Sequence, residues 1–87
     1  MTPLSRPAAT IRCLARDGRP GAIVAAEQTV DVYLAAFPRA RDRNAALDAV
    51  LSDLARLRAG EPALAGFLAE VEGYIDESHR DGRRTAA

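Results

Sequence analysis

Lysine and tryptophan are absent from this 87-residue chain, and cysteine, methionine and histidine each occur once. A single cysteine, Cys13, excludes an internal disulfide and leaves no basis for a cysteine zinc cluster. With two Phe and two Tyr as the whole aromatic complement, the core must rest on Leu, Val and Ile. Alanine supplies much of the 48% apolar content but little buried area, so that core is thin. No run approaches the roughly 18 apolar residues of a membrane span, and "MTPLSRPAATIR" lacks the apolar stretch of a signal peptide. The expected location is the cytoplasm.

Charge of one sign is also missing. Twelve arginines balance twelve acids, for a formal net charge of zero. A general nucleic-acid binder carries excess positive charge, so only a local basic patch could serve that role. All-arginine basicity with abundant alanine gives a bacterial-like composition, of the kind that GC-rich codon usage produces.

What is present is helical periodicity. Residues 1–9 hold two prolines and no period, and read as a flexible arm before a helical domain over residues 10–82. Thr10 to Asp17 reads either as two helical turns, with Thr10 as N-cap and Gly18 as C-cap, or as a short strand before the turn "RDGRPG". "GAIVAAEQTVDVYLAAFP" predicts a helix from Gly21 or Ala22 to Phe37, striped by Ile23, Ala26, Val30, Tyr33 or Leu34, and Phe37. "RARDR" reads as a connection, with Asp42 or Asn44 capping a second helix striped by Leu47, Val50 or Leu51, Leu54 and Leu57. Pro62 opens a third helix carrying Leu64, Phe67 or Leu68, Val71 and Ile75 to a stop near Gly82, and residues 83–87 should fray. The fold class is therefore all-α: a small antiparallel three-helix bundle, with the N-terminal segment as a further wall if it is helical.

The first of these helices is apolar on more than one side. Opposite its stripe lie Val24, Val32 and Ala35, with Gln28 among them, whereas the later helices carry Asp48, Asp53 and Arg56, or Glu70, Glu72 and Asp76, away from their stripes. A helix apolar on several sides is usually buried on several sides. The cover is either the Ile11–Leu14 segment or another molecule, unless the two valines are simply exposed. Val24, Gln28, Val32 and Ala35 are thus candidate interface residues of a non-enzymatic, self-associating interaction module, such as an accessory subunit, adaptor or regulatory binding protein.

No catalytic or cofactor-binding constellation stands out. Glu72, Asp76 and His79 share a helix flank with carboxylate-x-x-His spacing, but one such motif at the edge of a stripe does not make a bundle metal site. Cys13 has no histidine near it in sequence and reads as buried or inert. Ser52 and Ser78 lack an elbow-like glycine setting, and "RDGRPG" has neither the spacing nor the lysine of a phosphate loop. The alternative function is a small DNA-binding regulator contacting phosphate or bases through Arg39, Arg41, Arg43 and Asn44. Asp42 interrupts that run, and the five acids and no arginine between Glu61 and His79 give the chain an acidic end.

Overall fold

A computed structural model describes residues 3–80. Its regular structure is helical throughout these residues: α1 (Arg6–Asp17), α2 (Ala22–Ala35), α3 (Ala40–Gly60) and α4 (Ala65–Ile75), with a short 3₁₀ turn at Pro62–Leu64 and a π-helical turn at Asp76–Arg80. The all-α expectation holds, but four helices are present where three and a short segment were expected. Met1, Thr2, the expected stop at Gly82 and the tail 83–87 lie outside the described residues.

The N-terminal segment is a full helical wall, and the strand alternative is overturned. Its N-cap is Ser5 rather than Thr10: the Ser5 side chain accepts from the Ala8 N–H at 3.4 Å, and Pro7 sits in the first turn, where its missing N–H is harmless. Residues 6–9, read from sequence as part of a flexible arm, therefore belong to α1, with Pro7 and Ala8 buried. Gly18 ends α1 at φ 66°, and Gly21 opens α2 at φ 83°. Both values lie in the left-handed region that glycine enters freely and an L side chain does not.

Two further boundaries differ from the sequence reading. α2 stops at Ala35, because the residue before Pro38 is steered away from helical geometry and the chain has already begun to turn. α3 starts at Ala40, with Arg39 extended as its N-cap and no side-chain cap bond. Arg41, Asp42, Arg43 and Asn44 thus lie inside the helix, and neither Asp42 nor Asn44 caps it.

The stripes meet in one core. Ile11 from α1, Ala26, Val30 and Leu34 from α2, Leu47, Val50, Leu54 and Leu57 from α3, and Leu68, Val71 and Ile75 from α4 are all buried in a single cluster. α2 contacts all three other helices, with α1 its most extensive neighbour.

One polar residue is buried with them. Asp53, placed by its periodicity on the outer side of α3, is only 7% exposed. Its Oδ2 accepts the Ser5 backbone N–H at 2.8 Å, and its Oδ1 accepts from the Arg56 guanidinium. Burial pushes this carboxyl up, but the Ser5 and Arg56 donors outweigh burial and hold it below the usual aspartate value. A side chain in the middle of α3 thereby anchors the start of α1. At the other end of α1, Arg16 donates to Glu61 at 2.7 Å, an exposed pair of small energetic weight.

Candidate interaction surface

α2 is covered on two sides and open on a third. Taken at about 100° per residue, Ala26, Val30 and Leu34 point into the core, where all are buried. Gly21, Val24, Gln28, Val32, Ala35 and Ala36 form the exposed side. Val24 is 50% and Val32 73% exposed, and these are the large apolar residues that stand out in solvent among those described. The four candidate interface residues are thus on one surface. α1 does not fold over it: Ile11 goes wholly into the core, and the expectation of cover from the Ile11–Leu14 segment is overturned. α1 lies along one edge instead, because its own stripe has to reach the same core that Val30 and Leu34 reach.

Between α1 and this open side runs a shallow groove of about 550 Å³, walled by Arg6, Pro7 and Thr10 and floored by Ala25, Thr29, Val32 and Ala36, with Gln28 and Tyr33 at its margins. The Thr10 hydroxyl donates to the Arg6 carbonyl at 3.1 Å and the Thr29 hydroxyl to the Ala25 carbonyl at 2.8 Å. Both hydroxyls are therefore turned back onto their own helices. The groove is left largely apolar, with Arg6 on its wall and Gln28 at its margin as the polar residues not turned back onto their own helices.

The opposite edge is acidic and hydrogen-bonded. Asp31 accepts from the Tyr74 hydroxyl at 2.6 Å through Oδ2, and its Oδ1 lies 2.9 Å from His79 Nε2. The π-helical turn carries His79 back toward α2 beyond the end of α4. The bond to the Asp31 carboxylate, then burial, then the nearby charges of Asp31 and Glu27 raise the Tyr74 hydroxyl above the ordinary tyrosine value. Tyr74→Phe is expected to lower stability by about 1 kcal/mol, read from thermal unfolding at neutral pH. Because the folded value is the raised one, this contribution is complete below pH 10 and disappears as pH climbs through the folded value. The gap between Tyr74→Phe and wild type should therefore close in strongly alkaline buffer.

The other sequence candidates do not assemble. His79 turns to Asp31 and Glu72 to Arg58, at 3.5 Å, so the Glu72, Asp76 and His79 trio does not converge. No group of three metal-ligating side chains occurs among the described residues. Cys13 is exposed, so of the two readings, buried or inert, burial does not hold. In the basic run, Arg39 and Arg41 are exposed beside an exposed Asp42, Asn44 is half-buried, and Arg43 donates to the Phe37 carbonyl at 3.0 Å, closing the turn between α2 and α3. One of the three arginines thus serves the turn.

Sequence reasoning missed the Asp31–Tyr74–His79 contact. Its partners stand 43 and 48 residues apart, and only the packing of α2 against α4 brings them together. No helix among the described residues is long and apolar enough to cross a membrane. No protein-family model, curated protein or solved structure matches the chain.

Proposed function

We propose that this protein is a non-enzymatic helical interaction module that self-associates through the open side of α2. The exposure of Val24 and Val32 carries this reading, because they sit on one ridge with Gln28 between them, at i, i+4 and i+8. Exposed apolar residues aligned on one ridge beside an apolar groove favour a packing partner more than scattered ones do. Gln28 supplies a hydrogen bond within that face, and the charged edges set orientation. The DNA-binding alternative draws less support, because Arg43 is engaged in the turn and Asp42 lies exposed among the remaining arginines.

The magnitudes point to a modest interface. Completing the burial of the half-exposed Val24 and the three-quarters-exposed Val32 contributes about 2–4 kcal/mol per copy, against an association cost of about 4–15 kcal/mol. At the lower end of that cost, a weak dimer of roughly millimolar dissociation constant is what remains. Mass in solution, followed by sedimentation over a concentration series, tests it. Wild type is expected to dimerise, and Val32→Asp to be monomeric with unchanged helical circular dichroism. A wild type that stays monomeric throughout, with Val32→Asp indistinguishable from it, would sink the proposal.

A further inference from the structure

The open side of α2 has two unlike edges. Arg6, on α1, stands at one, and Glu27 and Asp31, on α2 itself, border the other. Between them the ridge from Val24 through Ala35 and Gln28 to Val32 spans an arc of about 80°. Neither Arg6 nor Glu27 forms a side-chain hydrogen bond or ion pair with another described residue, so both charges are available to a partner.

A basic edge and an acidic edge complement each other only when left meets right. Two copies can face each other about a two-fold axis lying in the interface. If that axis is perpendicular to α2, the helices run antiparallel and each edge meets its own copy, Arg6 against Arg6 and acid against acid. If the axis runs along α2, the helices run parallel and each basic edge meets an acidic one. Heights along the helix are then preserved. Arg6 walls the groove beside Val32 and Ala36, and Asp31 lies only about 1.5–8 Å below those residues along the axis, within reach of an arginine side chain. Gln28 does not decide between the two, since either axis can place one Gln28 amide against the other; the edges do. A net charge of zero means that no overall repulsion opposes pairing of identical chains.

We infer that the partner on this surface is a second copy with its α2 parallel to the first, and that Arg6 of each copy meets the Glu27–Asp31 edge of the other. This rests on the self-association proposed above and specifies its geometry. In register, Val24 packs on Val24, Gln28 on Gln28 and Val32 on Val32, as at the seam of a parallel coiled coil, where a single polar pair fixes register.

Charge reversal distinguishes the arrangements. Arg6→Glu sets two acids against the acidic edge in each homodimer and is expected to weaken dimerisation about tenfold or more. Glu27→Arg weakens its own homodimer less, because Asp31 remains. Mixing the two variants is expected to yield a heterodimer, seen by native mass spectrometry, in preference to either homodimer. Both substitutions lie at exposed or half-exposed positions. A glutamate in the first turn of α1 suits the helix dipole, and Arg6→Gln provides a neutral second variant expected to lose part of the same affinity and of its salt dependence. A wild-type dimer that Val32→Asp dissociates, but that Arg6→Glu leaves intact, overturns the parallel arrangement alone. So does a mixture showing no preference for the heterodimer. A monomeric wild type overturns the self-association itself.

Discussion

Val30→Asp is expected to leave the chain unfolded at room temperature, whereas Val32→Asp, two residues along the same helix, leaves it folded. Val30 has no solvent exposure and packs in the cluster joined by all four helices, while Val32 is 73% exposed. Removing the buried valine forfeits about 1.5–3 kcal/mol of burial, and a carboxylate without a partner in that position costs several kcal/mol more, even if it protonates. The total stability of a chain this size is about 4–13 kcal/mol, and the combined loss of about 5–8 kcal/mol exceeds the lower half of that range, where a thin, alanine-rich core places this chain. Far-ultraviolet circular dichroism and thermal melts of the two variants check the contrast. A folded Val30→Asp with wild-type helicity would contradict the packing described for α2.

The second large effect belongs to Asp53→Ala. The substitution removes the acceptor of the Ser5 N–H and the partner of Arg56 together. Hydrogen bonds to charged groups contribute about 1.5–3 kcal/mol each. The half-exposed Arg56 recovers solvation when its partner is lost, so the expected net cost is about 2–3 kcal/mol. For a domain of this size that lowers Tm by about 10–20 °C. The folded carboxyl titrates below its unfolded value, so the stabilisation is present above the unfolded value and lost as pH falls through the folded one. Wild type should therefore lose its advantage over Asp53→Ala below about pH 4. Asp53→Asn, which keeps an acceptor for Ser5 but not the charge, should fall between them at neutral pH. Hydrogen exchange at the Ser5 amide supplies a local readout, with protection expected in wild type and lost in Asp53→Ala. α1 walls the groove beside Val32, so Asp53→Ala should also weaken self-association.

Periodicity made the core legible because burial follows it closely. Val30 and Leu34, then Leu47, Val50, Leu54 and Leu57, then Leu68, Val71 and Ile75 are buried as their spacing requires. The open face of α2 was legible for the same reason, since Val24, Gln28, Val32 and Ala35 fall opposite that stripe. What escaped depended on contacts that spacing does not encode. Ser5 makes an N-cap through local geometry that two nearby prolines obscure in the sequence. Asp53 sits one position before Leu54 and three after Val50, at the margin of the stripe. Whether such a residue faces water or protein depends on which element lies alongside, and α1 lies there. The basic stretch was read as a connection because its residues are all polar or small. Yet the turn needs only the residues from Ala36 to Arg39, and the helix absorbs the rest.

The link between α1 and α2 has a consequence for sequence change. Four residues, Gly18 to Gly21, reverse the chain, and the left-handed glycines at both ends fix its path. One residue added or removed between Ile11 and Asp17 would rotate everything before it by about 100°. Ile11 would leave the core and Arg6 would swing away from Val32. Length variation in this region should therefore be tolerated poorly, even where single substitutions at the exposed Arg16, Arg19 or Pro20 are harmless. A screen of insertions and deletions would find a forbidden zone spanning α1 and its turn, bounded on the far side by the first turn of α2.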